Sequence, residues 1–287
     1  MHLTRLALVV HPTRPVDAAL ATLRRWAGEC GIGVVQLRPE GGPHREVAPA
    51  GTLADGDLVV AVGGDGTVLS ALRASAEHEA PVLGVACGSL GALSAVTAEE
   101  LAPSLARIRA GDWTPRSLPA LAIRADGAPE DWAANDFVVV RRGAGQLVAE
   151  VDVDGERYVR LAGDGVVVAT PLGSSAYSMA AGGPVLASDT PAFVCTPLAM
   201  HGGSAPPLVV PDDATLTVEV HPGYAGFDVE VDGHRRELTD RRFEFALHMT
   251  KLTLVTFGAV GRGLAGLRRR GLIADSPRVL ARDERKR

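Results

Sequence analysis

A continuous apolar run that leads directly into a glycine-rich turn is the feature that most constrains this chain. The run is Leu58-Val59-Val60-Ala61-Val62, and the turn is Gly63-Gly64-Asp65-Gly66-Thr67. This layout predicts a strand that meets a helix. Glycines lack Cβ atoms, so backbone N–H groups can approach a polyanion, and a helix beginning at Thr67 would direct its positive dipole end towards it. The turn therefore predicts a phosphate site.

Asp65 gives this turn its chemical interest. A carboxylate repels phosphate oxygens, so its useful roles beside a phosphate are to hold a divalent cation or to accept a proton from an attacking hydroxyl. The alternative interpretation is an ordinary strand-to-helix turn in which Asp65 caps the helix N-terminus. These five residues alone leave both interpretations open.

Strand and helix signals alternate through the first third of the chain. Strands are predicted at 5–10, 33–37, 58–63 and 81–86, and helices at 16–27, 67–76 and 99–109. This succession predicts a parallel sheet covered by helices, in which ligands bind beyond the carboxyl ends of the strands. Gly63-Gly64-Asp65 and Gly88-Ser89-Leu90-Gly91 both fall at such ends, so they can line one crevice.

The texture changes after Trp113, where short alternating runs separated by Gly, Asp and Pro turns predict an all-β lobe. Strands are predicted at 121–124, 137–140, 148–153, 165–170, 215–220, 228–231 and 252–256. We therefore expect an α/β lobe with a Rossmann-like parallel sheet over 1–113 and a β-rich lobe over 114–256. A C-terminal helical segment over 257–287 is expected to pack back on the first lobe. Its run Arg268-Arg269-Arg270 is interpreted as a solvated helix face.

Charge and composition exclude several classes of function. The net charge of −5 carries no polybasic signature, which argues against a nucleic-acid partner. The sequence has no 18-residue apolar span and no charged-then-apolar leader, so we expect neither membrane insertion nor export, and a cytoplasmic location. Cys30, Cys87 and Cys195 are interpreted as buried thiols in a reducing compartment. Because Lys251 and Lys286 are the only lysines, a cation that clamps phosphate is expected to be arginine, a metal ion or a helix end.

A second glycine- and hydroxyl-rich motif lies in the β-rich part. It runs from Asp164 to Ser178 and is followed by Ala181-Gly182-Gly183-Pro184. A strand here leads into a turn that offers N–H and O–H donors, then into a helix of small residues. Tyr177 adds a flat ring and a hydroxyl. A Gly/Ser loop alone is weak evidence, but together with the first motif it favours a nucleotide site.

In their order along the chain, these motifs resemble those of the NAD kinase family, which phosphorylates the adenosine 2′-hydroxyl of NAD. Gly63–Thr67 resembles the family's GGDGT, and Asp164–Tyr177 resembles DGLIVSTPTGSTAY. Further similarities join Gly88–Leu93 to G-x-L-G-F-L, Asn135-Asp136 to the Asn-Glu motif, Thr196–Leu208 to TPI-x-PH-x(4)-RPL, and Val231-Asp232-Gly233 to a late Asp-Gly turn. Diacylglycerol kinases, sphingosine kinases and phosphofructokinases carry relatives of GGDGT, but the second signature excludes them.

The resemblance implies an NAD kinase-like two-domain architecture and a set of site residues. Asp65 would accept the 2′-hydroxyl proton as that oxygen attacks the terminal phosphate of ATP or polyphosphate, with Mg²⁺ bridging the donor phosphates and no protein residue assigned as a metal ligand. A homodimer or homotetramer formed through the β lobe is also expected. The implied substrate-binding residues are Gly64, Gly66, Thr67, Asn135, Asp136, Asp164, Leu172, Ser175, Ala176, Tyr177, Ser178, Ala180 and His234.

Several positions depart from the family pattern, mainly by loss of hydrogen-bonding groups. Each lost hydrogen bond is worth roughly 0.5–1.5 kcal/mol. Two alternatives therefore stay open: a kinase of the same fold that acts on another hydroxyl, such as a nucleoside, polyol or lipid, and a catalytically inactive nucleotide-binding relative. The departures are Ala86 for Asn, Ala92 for Phe, Asp136 for Glu, Ala162 for a basic residue, Leu172 for Thr, Pro206 for Arg, and His234 for Gln.

Overall fold

A computed structural model describes residues 3–38, 45–88, 91–258 and 264–284 of the chain. The chain forms two compact units. The first contains Met1–Ser117 together with Lys251–Arg287, and the second contains Leu118–Thr250. Ser89 and Leu90, inside the Gly88–Leu93 motif, lie outside the described residues. Within the described ranges, no helix has both the length and the apolar character required to cross a bilayer.

The first unit is a parallel sheet with helices. Its elements are β1 (Arg5–Val10), α1 (Asp17–Cys30), β2 (Gly33–Gln36), β3 (Asp57–Gly63), α2 (Asp65–Ser75), β4 (Val82–Ala86), β5 (Val96–Thr97), α3 (Leu101–Arg109), α5 (Leu264–Arg269) and α6 (Pro277–Glu284). The strand order is β2, β1, β3, β4, and every neighbouring pair is parallel. All seven residues of β3 are buried, as expected of a central strand covered on both faces.

Helix α1 contributes one apolar face to the core of the first unit. Leu20, Leu23 and Trp26 recur at helical spacing and are buried against the sheet, so one face of the helix is apolar. The helix ends at Gly31, whose φ of 66° places it in the left-handed region that glycine tolerates best.

The second unit is built from antiparallel sheet. Its elements are β6 (Thr114–Ala125), β7 (Asp131–Ala133), β8 (Asp136–Arg141), β9 (Leu147–Val153), β10 (Glu156–Gly163), β11 (Gly165–Ala169), α4 (Tyr177–Ala180), β12 (Ala192–Leu198), β13 (Leu208–Pro211), β14 (Leu216–His221), β15 (Phe227–Val231), β16 (His234–Arg236) and β17 (Arg242–Thr256). Both β6 and β17 continue past the boundary of the unit. One sheet has the order β13, β12, β11, β8, β15, β16, and β10, β9, β14 and β17 pair successively in the other.

Side chains from both sheets form the core of the second unit. In β9 the buried residues Leu147, Ala149 and Val151 alternate with more exposed ones, which is the pattern of a strand with one covered face. The ring of Phe137 lies 4.9 Å from that of Phe243 and 4.8 Å from that of Phe245, measured between centroids. The predicted fold class, an α/β lobe followed by an all-β lobe, is confirmed.

Several local predictions need correction. Helix α2 begins at Asp65 and not at Thr67, because Gly64 adopts the extended conformation of a helix N-cap. Strands β10, β12 and β13 were not predicted. Charged residues interrupt the apolar pattern of β10, Pro197 lies within β12, and β13 is a run of only three apolar residues that ends at Pro211. The cysteines also differ in environment: Cys195 is buried, but Cys30 and Cys87 are partly exposed.

Candidate active site

The carboxyl ends of β1, β3 and β4 meet at one edge of the parallel sheet. Val10 is in register with Val62, and Gly63 is in register with Ala86. The backbone N–H of His11 donates to the Val62 carbonyl over 3.0 Å, and that of Cys87 donates to the Gly63 carbonyl over 2.9 Å. The loops that follow β1 and β4 therefore lie next to the Gly63–Asp65 turn, at the edge where ligands of parallel sheets bind.

The close approach of these loops requires glycine at position 63. A Cβ there would lie 2.3 Å from Thr67 Oγ1 and 3.0 Å from His11 Cβ. The Gly64 carbonyl accepts the N–H groups of Thr67 at 2.9 Å and Val68 at 3.1 Å, which starts helix α2. Thr67 is buried, whereas Gly66 is exposed. The sequence thus places the beginning of α2 at the ligand edge of the sheet.

Two backbone amides from the segment after β4 orient the Asp65 carboxylate. Ala92 N–H donates to Oδ2 over 2.8 Å, and Leu93 N–H donates to Oδ1 over 3.0 Å. The side chain is 29% exposed, so it still reaches solvent. The N-cap of helix α2 is Gly64, and the Asp65 carboxylate accepts N–H groups from outside its own helix, so Asp65 is not the cap that the alternative interpretation assumed.

Gly91 leaves the space that this carboxylate occupies. A Cβ at Gly91 would lie 1.9 Å from Asp65 Oδ1 and 2.5 Å from Asp65 Cγ. No real side chain tolerates such distances, so either the Asp65 carboxylate or the Gly91 backbone would have to move. The glycine before Ala92 and Leu93 is therefore part of the mechanism that orients Asp65.

Two arginines that the sequence analysis did not assign lie beside the turn. Arg270 Nη1 is 3.9 Å from Asp65 Oδ2, and its side chain is 21% exposed. The interpretation of the arginine run as a solvated face is thus wrong for Arg270, although it suits Arg268, which is 56% exposed and pairs with Asp275. Arg14 lies against Gly64, since a Cβ built there would be 3.0 Å from Arg14 Nη1.

In the second unit, the turn after β11 packs on Asn135. The N–H of Thr170 donates to the Asn135 carbonyl over 2.9 Å, and Thr170 Oγ1 donates to the Ala134 carbonyl over 2.6 Å. A Cβ at Gly173 would lie 2.0 Å from the Asn135 carbonyl oxygen. The two motifs that the sequence analysis connected only by order along the chain are therefore in direct contact.

Asp232 fixes the same segment from another direction. It lies in the turn between β15 and β16 with a φ of 51°, a left-handed conformation that Asp tolerates. Its carboxylate accepts the N–H of Ala134 at 3.0 Å and that of Asn135 at 2.7 Å. His234, exposed on β16, follows this turn. Sequence reasoning gave Asp232 no role, although the late Asp-Gly motif was the signal for it.

We expect Asp232→Asn to weaken acceptor binding without unfolding the protein. The Asn side chain has the same shape as Asp but only one oxygen. In the original protein, two carboxylate oxygens accept the N–H groups of Ala134 and Asn135. Losing one such hydrogen bond costs about 1–3 kcal/mol, or roughly a 5- to 150-fold rise in the acceptor KM. Steady-state kinetics with the acceptor varied checks this, and an unchanged KM would mean that Asp232 does not position Asn135.

Asp136 is the most strongly perturbed carboxyl that the structure describes in this region. Asp136 is 6% exposed, and this burial is the main cause that raises the pKa of its carboxyl to about 7. The charges of Asp232 and Glu230 also raise this pKa. The backbone of Tyr177 acts in the opposite direction on this pKa. The backbone of Tyr177 therefore lies near the Asp136 carboxyl.

The raised pKa of Asp136 predicts a pH-dependent stability. The folded protein retains this proton up to about pH 7, whereas the unfolded chain releases it near 3.8, so rising pH lowers the free energy of unfolding within that window. Asp136→Asn cannot ionise, so the free energy of unfolding of the variant minus that of the original protein should rise by roughly 2 kcal/mol between about pH 5.5 and pH 8. Urea unfolding at several pH values measures this difference, and parallel curves would contradict it.

The remaining residues of the turn divide into internal and exposed groups. The Ser178 hydroxyl is buried and lies 2.8 Å from Thr196 Oγ1, and Ser175 Oγ donates to the Leu172 carbonyl over 3.1 Å. Leu172 is 9% exposed. By contrast, Tyr177 is 43% exposed. Ala176 and Ala180 are exposed beside it. Tyr177 and the two alanines therefore offer the accessible surface.

Asp164 lies at the other end of β11 from this turn. Strand β11 separates Asp164 from Thr170, and at about 3.3 Å per residue the separation along the strand is roughly 20 Å. Arg141 Nε donates to Asp164 Oδ1 over 2.5 Å, and this hydrogen bond lowers the pKa of Asp164. Within this chain, the structure does not bring Asp164 together with Tyr177.

Models of one known protein family match both units of the chain. The model of the ATP-NAD kinase N-terminal domain matches residues 44–113, and that of the C-terminal domain matches residues 134–249. An NAD kinase of Chlorobium phaeovibrioides is 33% identical over 241 residues, which cover 81% of this chain and 85% of that protein. An NAD kinase of Heliobacterium modesticaldum is 39% identical over 183 residues, which cover 62% of this chain and 64% of that protein, just under two thirds of its length.

Two solved structures share the fold. Yeast NADH kinase complexed with NADH superposes with a TM-score of 0.77 at 19% identity, covering 96% of this chain and 89% of that chain. An NAD kinase from Archaeoglobus fulgidus in complex with ATP superposes with a TM-score of 0.73 at 22% identity, covering 94% of this chain and all of that chain.

A parallel α/β unit with an oriented carboxylate in a glycine-rich turn, followed by a β unit with a hydroxyl-rich turn, defines a phosphotransferase of the kinase class. The order of both motifs agrees with the two matched domain models. The chain belongs to the ATP-NAD kinase family.

Proposed function

We propose that this protein is an NAD kinase that transfers the terminal phosphoryl group of ATP to the adenosine 2′-hydroxyl of NAD, giving NADP and ADP. The observation that carries the proposal is the Asp65 carboxylate, which two backbone amides orient in the Gly63–Thr67 turn while it remains open to solvent. Membership of the ATP-NAD kinase family supports the choice of donor and acceptor.

In the reaction, Asp65 is the proton acceptor. The 2′-oxygen attacks the γ-phosphorus, the new O–P bond forms as the bond to the β,γ-bridging oxygen breaks, and ADP leaves. The hydroxyl proton passes to Asp65, which returns it to solvent. Because the transition state of phosphoryl transfer is loose, little charge accumulates on the attacking oxygen early, and an ordinary carboxylate suffices as a late acceptor. The hydrogen bonds from Ala92 and Leu93 contribute by holding the carboxylate in one orientation.

The donor is proposed to bind with its phosphates at the start of α2, where Gly64, Gly66 and Thr67 lie. A divalent metal, which we propose is Mg²⁺, enters with the donor as part of the substrate and neutralises phosphate charge. The described residues contain no group of three or more His, Cys, Asp or Glu side chains that could hold a metal ion. Inorganic polyphosphate offers the same phosphate chain and is proposed as a second donor.

The acceptor is proposed to bind in the second unit. Asn135 and Asp136 supply hydrogen bonds to hydroxyl or amide groups of NAD, and the Tyr177 ring supplies a stacking surface for the adenosine. The exposure of Tyr177 and the nearness of its backbone to Asp136 support this assignment. Ser175, Ala176, Ala180 and His234 are proposed to contact NAD as well, and the buried Leu172 and Ser178 to shape the turn from within. Asp164, at the other end of β11, is not assigned to this acceptor site within one chain.

A panel of donors and acceptors tests the function. The purified protein is incubated with MgATP or polyphosphate and with NAD, NADH, a nucleoside, a polyol or a lipid, and phosphate transfer is measured for each combination. We expect NADP from NAD and ATP. Transfer to another hydroxyl alone would identify a kinase of different specificity, and binding without transfer to any acceptor would identify an inactive relative.

We also propose that the protein acts in the cytoplasm as a homodimer or homotetramer. The free thiols Cys30, Cys87 and Cys195 suit a reducing compartment. The edge strands β13 and β16 offer backbone groups for a second copy to cover. Light scattering coupled to size-exclusion chromatography measures the assembly, and a monomer at enzyme-assay concentrations would contradict it.

A further inference from the structure

The arginines beside Asp65 come from two distant parts of the chain but from the same unit. Arg14 belongs to the loop after β1, and Arg270 directly follows α5. Arg14 Nη1 would lie 3.0 Å from a Cβ on Gly64, and Arg270 Nη1 lies 3.9 Å from Asp65 Oδ2. Two guanidinium groups therefore flank two consecutive residues of the turn.

The position of Arg14 is set by the loop that carries it. The backbone N–H groups of Thr13 and Arg14 both donate to His11 Nδ1, over 3.2 and 3.1 Å. His11 itself packs beside Gly63. Its pKa is lowered by burial and then by the charge of Arg14, which favours the neutral ring that these two hydrogen bonds require. The β1 loop thus holds Arg14 at the turn by its backbone.

Within the part of the chain that the structure describes, no carboxylate neutralises the charge of Arg14. In the ranges 3–38, 45–88, 91–258 and 264–284, no carboxylate lies within ion-pair distance of Arg14. An exposed guanidinium beside a glycine turn at the carboxyl edge of a parallel sheet is suited to phosphate, which it can bind with two parallel hydrogen bonds.

Arg270 differs from Arg14 because a carboxylate, that of Asp65, lies near its guanidinium group. At 3.9 Å the two groups attract each other but are too far apart for a direct hydrogen bond. The Arg270 side chain is also tied to its own helix, because Nε donates to the Gly266 carbonyl over 3.3 Å. A phosphoryl group that approaches Asp65 therefore also approaches a cation held beside it.

We propose that Arg14 and Arg270 bind the phosphate chain of the phosphoryl donor at the Gly64–Asp65 turn, an assignment that rests on the proposed function. Arg14 binds the chain in the ground state. Arg270, next to the proton acceptor, contacts the phosphoryl group in transfer and neutralises charge on it. With Lys251 and Lys286 as the only lysines in the sequence, arginine supplies this cationic role.

Direct binding measurements test the assignment without requiring turnover. Isothermal titration with MgATP and, separately, with magnesium tripolyphosphate compares the original protein with Arg14→Gln and Arg270→Gln. Arg14→Gln is expected to weaken the binding of both ligands by roughly tenfold or more, because a charge-assisted hydrogen bond is lost, and Arg270→Gln is expected to weaken it by a smaller factor, while affinity for NAD is unchanged in both variants. Arg268→Gln is the matched control on α5, since Arg268 pairs with Asp275 and is expected to leave all three affinities unchanged.

Kinetics separate the two roles. Arg14→Gln is expected mainly to raise the donor KM, and Arg270→Gln mainly to lower kcat, with partial recovery of kcat in Arg270→Lys. Unchanged donor affinity and kinetics in both Gln variants would overturn the proposal, as would a loss of ATP binding with tripolyphosphate binding intact. A change confined to the melting temperature would identify a purely structural ion pair and overturn the role of Arg270. If the original protein bound donor but formed no NADP, the proposed function would fail while the binding results still decided this assignment.

Discussion

Replacing Asp65 with Asn should reduce kcat by roughly 10²- to 10⁴-fold, the usual contribution of a positioned general base. Asn cannot accept the hydroxyl proton. It also offers a single oxygen where Ala92 and Leu93 donate two N–H groups, so the new side chain is less firmly oriented. Initial rates of NADP formation at saturating NAD and ATP measure the effect.

The Asp65→Asn experiment needs evidence that the protein remains folded and able to bind. Affinity for NAD, measured by titration, should match that of the original protein, because the proposed acceptor residues Asn135, Asp136 and Tyr177 belong to the other unit. A variant that retained kcat within about threefold would show that no proton acceptor at position 65 is needed, since such a change is only about 0.7 kcal/mol in the barrier.

Adding one methyl group at Gly91 should be nearly as damaging as removing the carboxylate. In Gly91→Ala the Cβ would lie 1.9 Å from Asp65 Oδ1, so the carboxylate must leave the position in which it accepts the Ala92 and Leu93 amides. A displacement of about 1 Å in a catalytic group costs on the order of 10²-fold in rate. We expect kcat to fall by about this factor.

A second glycine in the same unit provides the control for Gly91→Ala. Gly28 lies in helix α1 with open space around its Cβ position, so Gly28→Ala should leave kcat unchanged and raise stability by roughly 0.5–1 kcal/mol. Thermal unfolding and kinetics of both variants are compared. Full activity in Gly91→Ala would contradict the assigned role of Gly91 in orienting the carboxylate.

The sequence was sufficient to predict the elements whose periodicity reflects burial. Strand β3 is an unbroken apolar run because both of its faces are covered. The glycine turn after this strand was enough to predict the edge of the sheet at which a ligand binds. Strand β10 was missed because charged residues such as Arg157 and Arg160 interrupt its pattern, and their ion pairs to Glu150 form only once β9 lies beside it.

The residues of the candidate site also divide into those that the sequence could predict and those that it could not. Asp65 and Asn135-Asp136 were predictable, because each stands in a short motif with its own chemistry. The groups that orient or neutralise them were not. Between 26 and 205 sequence positions separate Gly91, Asp232 and Arg270 from the residues that they contact. Only the fold brings them to these partners. Arg270 shows this clearly, since a charge run is a solvated surface in most helices and local pattern carried no sign of its contact.

The most direct test of the central claim is to follow, by phosphorus NMR, a mixture of the protein with NAD and MgATP. The γ-phosphate signal of ATP should disappear as a monoester signal coupled to the adenosine 2′-proton grows, and Asp65→Asn should suppress this transfer. A monoester at another position, or transfer by the Asn variant at the rate of the original protein, would contradict the claim.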